Sequence, residues 1–198
     1  MSLTVIRYHH VMSRWEPNAR GRLMQAALEL YVGQGFDQTT VAEIAELAGL
    51  TERTFFRYFA DKREVLFWGA GALQELLVST VADAPESDAP IVAISAAILA
   101  AGAVFQEQRE GVLLRQTVIA TNAELQEREL IKLASLASAM AEALRQRGVA
   151  EPSASLSAEA GIAVLKIAFA RWIGESNAQD LAQIIRALFV ELKTVTAS

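Results

Sequence analysis

Apolar residues recur along the chain at spacings of three and four, the period of helices lying on a core. Strand-like alternation is confined to residues 3–8. Start and stop signals cut this pattern into nine predicted helices, at 18–34, 41–48, 52–59, 62–82, 90–107, 110–119, 122–147, 157–173 and 178–195. Thr40-Val-Ala-Glu43, Asp61-Lys-Arg-Glu64 and Thr121-Asn-Ala-Glu124 have the spacing of a capping box or its aspartate variant. Gly33, Gly35, Gly49, Gly148 and Gly174 supply stops. Pro17, Pro85, Pro90 and Pro152 all lie at predicted helix starts or in loops, the clearest loop being 83–90. The predicted fold class is all-α, with three short, closely spaced helices followed by longer ones.

The last two helices carry the strongest patterning. Leu181, Ile184, Ile185, Leu188, Leu192 and Val195 form one apolar stripe at near-heptad spacing. The preceding helix is apolar nearly all round from Ile162 to Ile173, apart from Lys166 and Arg171. Such a helix suits a place between its own core and a partner, although an ordinary intrachain core gives the same pattern.

Composition narrows the chemistry. The chain has 198 residues, no cysteine, and only the adjacent His9 and His10. That excludes a disulfide scaffold, a cysteine nucleophile and a Cys-based zinc site, and disfavours a multi-histidine metal centre. No catalytic residue, metal site or cofactor is expected, and neither a Gly-rich phosphate loop nor a paired-acid motif points to an enzyme. The hydrophobic fraction is 53%, much of it alanine. The longest uncharged apolar run, Ala89 to Phe105, reads as a buried helix rather than a membrane span. The first residues lack the pattern of a signal peptide, so a cytoplasmic location without membrane association is expected. Net charge is −5, all of it carried by residues 69–198, while residues 1–68 balance 8 basic against 8 acidic groups. Any nucleic-acid contact must use a local patch.

Residues 39–59, TTVAEIAELAGLTERTFFRYF, supply one. Two short helices flank Gly49, which can take the positive φ of a tight turn, and small Ala45 allows a close crossing. Leu50 should plug the junction, and Thr51 should cap the second helix. Winding that helix at about 100° per residue places Arg53, Thr54, Arg57 and Tyr58 within an arc of roughly 140°. Phe55 and Phe59 fall opposite, toward the core, and Phe56 sits at the border. Guanidiniums, hydroxyls and phenols bond guanine edges or phosphate oxygens. Lys62 opens the next helix, where its charge and free backbone N–H groups can meet a phosphate; Thr40 does the same at the first helix of the pair.

The run from Arg20 to Trp68 resembles the DNA-binding domain of the TetR/AcrR family of bacterial transcriptional regulators. Ala26-Ala27, Gly35-Phe36, Thr39-Thr40-Val41, Ile44-Ala45, Ala48-Gly49 and Tyr58-Phe59 followed by Lys62 carry the resemblance. The chain departs from the family at two positions. Phe56 stands where a tyrosine hydroxyl often bonds a phosphate, and Arg53 replaces a small residue. Residues 122–150 more weakly resemble the C-terminal domain of a branch that includes the mycofactocin regulator and is associated with acyl-CoA sensing.

The resemblance implies a division into a disordered arm at 1–17, a helix-turn-helix DNA-binding domain at 18–62, and an effector-binding and dimerisation domain at 63–198. DNA contacts would come from Thr40, Thr51, Arg53, Thr54, Phe56, Arg57, Tyr58 and Lys62. It also implies a cavity among the later helices, for which Trp68, Phe105, Leu113, Gln116, Met140, Phe169 and Trp172 are candidate lining residues. Such a lining suits a hydrophobic or amphipathic small-molecule effector, an acyl-CoA among them. Arg109 and Arg115 are candidates for an anionic head group. The last two helices would pair with a second copy, assigning Leu181, Ile184, Ile185, Leu188 and Leu192 to the homodimer interface. The expected function is a ligand-responsive repressor on a near-palindromic operator. The alternatives are an activator built on the same helix-turn-helix or a helical interaction module.

Overall fold

The computed structural model describes residues 19–174 and 179–197; the predicted arm 1–17, with His9 and His10, lies outside them. Among the described residues there are helices and turns and no strand. In order the helices are α1 (Ala19–Gln34), α2 (Val41–Leu47), α3 (Glu52–Tyr58), α4 (Glu64–Phe67), α5 (Ala70–Ala82), α6 (Pro90–Glu107), α7 (Arg109–Ala120), α8 (Ala123–Gln146), α9 (Ser153–Gly174) and α10 (Leu181–Thr196). The nine predicted helices are all present, the fourth interrupted at Trp68–Gly69 and so forming α4 and α5. α9 begins at Ser153 rather than 157, directly after Pro152, whose fixed φ suits a helix start.

The chain divides into two compact units. One runs to Trp68 and takes in Thr117–Asn122; the other comprises Gly69–Gln116 and Ala123 onward. The predicted boundary at 62/63 therefore moves to 68/69, and the contribution of 117–122 has no counterpart in the sequence reading.

In the first unit, α1 packs against α2, α3 and α4 around Leu23, Ala27, Ile44 and Phe55. Gly49 takes φ +66° in the α2–α3 turn, where the Leu50 N–H donates to the Ala45 carbonyl at 2.8 Å. The segment before α4 is tied to the loop after α1. The Lys62 ammonium donates to the carbonyls of Phe36 at 2.8 Å, Asp37 at 3.3 Å and Thr39 at 2.8 Å. The Tyr31 hydroxyl donates to the Lys62 carbonyl at 2.6 Å. Asp61 then caps α4, its Oδ1 accepting from the N–H groups of Arg63 at 2.8 Å and Glu64 at 3.1 Å.

In the second unit, α6 packs against α5, α9 and α10, and α8 against α5 and α9. By length and hydropathy alone, three helical stretches suffice to cross a bilayer: Glu64–Ala82, Pro90–Glu107 and Ser153–Gly174. Two of them, α6 and α9, build the interior of this unit. Ala93, Ile94, Ala97, Ile98 and Ala101 of α6 meet Ala158, Ile162, Leu165 and Ala168 of α9 in one core. Small residues set how closely these helices approach. A Cβ on Gly161 would overlap the Ile94 Cγ2 methyl, and one on Gly102 would run into the Ile185 Cδ1. The Thr121 hydroxyl, predicted to cap α8, instead bonds back to the Val118 carbonyl of α7 at 3.0 Å.

Two predictions follow from this packing. Gly161→Ala should destabilise the protein by about 1–3 kcal/mol, because the added Cβ overlaps the Ile94 branch methyl and crowds Ile98, so the core has to shift. Gly71→Ala, where a Cβ meets nothing within 4 Å, should stabilise α5 by about 0.5–1 kcal/mol. Denaturant titration of both variants checks the pair, and equal midpoints would remove the close-crossing account. The second concerns Tyr31, whose phenol burial, and then the Asp61 charge, push above its ordinary 10.0. The folded state keeps a proton that the unfolded chain releases, so this contribution is complete below pH 10 and is lost as the pH rises beyond it. Stability measured against pH should fall less steeply above pH 10 in Tyr31→Phe than in the parent chain.

Candidate nucleic-acid interface and effector site

The exposed arc is built by two helix caps. Thr40 closes a reciprocal box on α2: the Glu43 N–H donates to Thr40 Oγ1 at 3.2 Å, and the Thr40 N–H donates to Glu43 Oε2 at 2.7 Å. The backbone and then the side-chain bond from Thr40 hold the Glu43 carboxyl below the usual carboxylate range. The Thr40 hydroxyl also donates to Glu43 Oε2, at 2.8 Å. Its proton is thus taken within the box rather than presented outward. Thr51 caps α3, accepting from the Thr54 N–H at 3.2 Å, with the two hydroxyl oxygens 3.1 Å apart.

α3 turns Phe55 inward and leaves Arg53, Phe56 and Arg57 exposed, with Thr54 and Tyr58 half-buried beside them. Phe55 stacks edge-on against Phe56 and tilts against Phe59, so the helix is anchored by its aromatic side. Phe56, expected at the border, is 55% exposed. Arg57 Nη2 donates to the Tyr58 hydroxyl at 3.1 Å, and its guanidinium lies 4.9 Å from that ring's centroid. Arg20 lies over the rings of Trp68 at 3.8 Å and Tyr58 at 5.1 Å. Lys62 departs from expectation. The structure directs its three N–H donors at three loop carbonyls, so the ammonium braces the motif instead of facing a phosphate.

The predicted effector residues do not form one group. Phe105, Phe169 and Trp172 come together, with ring centroids 5.9 Å apart for the first pair and 5.8 Å for the second. Arg109 joins them, its guanidinium 4.5 Å from the Trp172 centroid. Its Nη1 is buried and has no hydrogen-bond partner among the described residues, and the same is true of Gln116 Oε1. Leu113 is half-buried on the same helix, α7. Met140 is fully buried in the α8 side of the core. Trp68 belongs to the first unit, where it meets Phe59 edge-on at 6.1 Å, and does not join the aromatic row. Arg115 pairs with Glu129 at 2.9 Å.

The predicted dimer stripe turns inward. Leu181, Ile184 and Ile185 are buried in the core of their own chain, and Leu188 and Leu192 pack half-buried against it. The reason is that α10 has one strongly apolar face and its own unit claims it. Among the apolar positions left open are Leu156 and Ile167 on α9 and Val190 on α10, at 66%, 52% and 65% exposure, together with the stripe's last residue, Val195.

Three features escaped the sequence reading. Gln106 Oε1 accepts from both Trp172 Nε1 at 3.0 Å and the Leu181 N–H at 3.1 Å, joining α6, α9 and the start of α10. A buried indole needs an acceptor, but nothing in the pattern says which residue supplies it. Arg20 lies outside the two-helix motif. Asn122 Nδ2 donates to the Asp37 carboxylate at 3.1 Å across 85 residues, a pairing that no local signal encodes.

Comparison with known proteins agrees with this geometry. Residues 23–67 match the family described as bacterial regulatory proteins, tetR family. The chain is 39% identical over 94 residues to the HTH-type transcriptional regulator TcmR of Streptomyces glaucescens, a match covering 47% of this chain and 42% of that protein. It is 40% identical over 47 residues to MftR of Mycobacterium tuberculosis, a candidate mycofactocin biosynthesis transcriptional regulator, covering 24% and 23%. These matches span less than half the length of either relative. The fold resembles that of Thermus thermophilus FadR, a TetR-family repressor solved with lauroyl-CoA, at TM-score 0.54 and 24% identity, covering 88% of this chain and 93% of that one. Through residues 23–67 the chain is similar to the tetR family of bacterial regulatory proteins.

Proposed function

We propose that the protein is a ligand-responsive transcriptional repressor that binds a near-palindromic DNA operator as a homodimer. The observation that carries the reading is the capped α2–turn–α3 unit, with Arg53 and Arg57 exposed and Phe55 and Phe59 locked behind them. A guanidinium can bond the O6 and N7 edge of guanine bidentately in the major groove. Stacking on Tyr58 gives the Arg57 plane an orientation before any contact forms. A two-fold dimer presents two such helices to half-sites about 34–36 Å apart.

The effector reading rests on the second unit. Phe105 and Phe169 are half-buried apolar rings beside the buried Trp172, while Arg109 Nη1 and Gln116 Oε1 are buried polar atoms without partners among the described residues. Leaving such atoms unpaired is costly, and an amphipathic ligand with an acceptor for the guanidinium, a donor for the amide oxygen and an acyl or aryl chain would satisfy them. The resemblance to a fold solved with lauroyl-CoA supports an acyl-CoA as the first probe. A hundredfold loss of operator affinity on effector binding requires about 2.7 kcal/mol of coupling.

The homodimer reading moves to the open faces of α9 and α10. At about 100° per residue, Leu156, Ala163, Ile167 and Ala170 share one side of α9, and Ala187, Val190 and Thr194 share one side of α10. All are exposed, and α9 and α10 pack together. Apolar and small residues on adjacent helices suit a helix-pair interface with a second copy.

Selection of sites from random duplex DNA tests the whole reading. A consensus of two inverted half-sites is expected, and Arg53→Ala or Arg57→Ala should weaken it by about 1–3 kcal/mol with relaxed preference at one position. Lauroyl-CoA should release the complex in a gel-shift titration. Absence of any enriched sequence, from protein unfolded and refolded to strip bound ligand, would overturn the proposal. Ile167→Glu, at an exposed site, should leave thermal stability of the chain nearly unchanged while converting the dimer to monomer in sedimentation. A dimer that survives Ile167→Glu combined with Val190→Glu would place the interface elsewhere.

A further inference from the structure

We propose that Phe56 reads the 5-methyl group of a thymine at one position in each operator half-site. This deepens the DNA-binding reading of α3 and rests on it. Phe56 is one of the large hydrophobic side chains most open to water in the first unit, at 55% exposure, and it sits on the same helix as the exposed Arg53 and Arg57. At about 100° per residue, Arg53 lies between the other two, roughly 60° from Phe56 and 40° from Arg57. The three form one continuous face. Whatever surface meets the two arginines also meets the phenyl ring.

The chemistry of the ring limits what that surface can be. A phenyl group has no donor for a phosphate oxygen. On its other side lies the exposed Glu52, about 40° away, whose carboxylate repels a phosphate. The Phe56 side of the face is therefore unsuited to the DNA backbone. In the major groove the apolar feature that distinguishes one base from the others is the thymine methyl, and phenylalanine contacts it. The ring is held for that purpose. Its edge-on contact with buried Phe55, at 5.5 Å between centroids, limits the positions it can take. The adjacent arginines fix the register by contacts to guanine or phosphate, and Phe56 adds discrimination at a neighbouring base pair. Sequence preference thus comes from two kinds of readout on one short helix: hydrogen bonds from the guanidiniums and methyl burial by the ring.

Replacing thymine by uracil removes the methyl and leaves every hydrogen bond of the base pair in place. Once a binding site is selected, each thymine of a half-site is replaced in turn by deoxyuridine, and affinity is measured for the parent chain, Phe56→Ala and Phe56→Leu. The expected result is one position per half-site at which uracil weakens the parent about fourfold, and about fifteenfold when both half-sites carry it. The same substitution should be without effect in Phe56→Ala and partly retained in Phe56→Leu. The parent measurement needs no variant, so a folding defect in Phe56→Ala would not hide the answer. A parent chain that binds its selected site equally well with every thymine replaced overturns the proposal while leaving the DNA-binding reading intact. So does a half-site without thymine, or a uracil penalty that persists unchanged in Phe56→Ala. Failure to select any site removes the DNA-binding reading itself, and this inference with it.

Discussion

The second unit depends on side chains that are not there. α6 crosses α9 and α10 so closely that Gly161 and Gly102 stand where any methyl would strike Ile94 or Ile185. Ala93, Ala97 and Ala101 on α6 and Ala154, Ala158 and Ala168 on α9 continue the same rule along the crossing. Close packing of this kind gains dispersion contact along the whole helix length, and it loses that contact if one residue grows. The alanine content that raises the mean hydropathy of the chain is the means of building this core. It also explains why α6 and α9 meet the length and hydropathy of a membrane span while serving as the inside of a helical unit.

The first unit solves a different problem. α2 and α3 have seven residues each, too short to hold themselves in place by propensity. Their ends are fixed by caps at Thr40 and Thr51, and their backs by the aromatic contacts of Phe55 and Phe59. Lys62 supplies the remaining brace, with three donors matched to three loop carbonyls that would otherwise need water. A charge at the head of a helix suggests an anion to a reader of sequence. Here the anion's place is taken by the chain's own carbonyl dipoles. The cations that α3 leaves exposed are Arg53 and Arg57.

Legibility in the sequence follows the range of the interaction. Helices set by local signals are found where predicted: the Thr40 capping box, the Gly49 turn and the Pro90 start all form. The outward direction of Arg53 and Arg57 is also local, since the buried Phe55 and Phe59 determine it. Contacts between distant residues were not legible. Gln106 could be paired with Trp172 only once α6 and α9 were adjacent, and Asp37 with Asn122 only once the end of α7 had joined the first unit. The position of Trp68 beside Phe59 and beneath Arg20, away from the other candidate effector residues, depends on tertiary packing.

The apolar stripe of α10 shows the same limit from another side. An apolar stripe on a helix states that the face is covered, and says nothing about what covers it. α10 could satisfy its stripe either against its own unit or against a copy, and the choice lies in the neighbouring helices. Because α6 is narrow at Gly102, α10 can sit on it, and Leu181 and Ile185 are buried there. Once that face is used, the apolar positions still exposed lie mainly elsewhere on α9 and α10. Leu156, Ala163, Ile167 and Val190 are mixed with lysine, arginine and glutamate, and small alanines dilute the stripe. The most regular stripe in a chain is therefore the poorest guide to its partner, because the fold uses that stripe first.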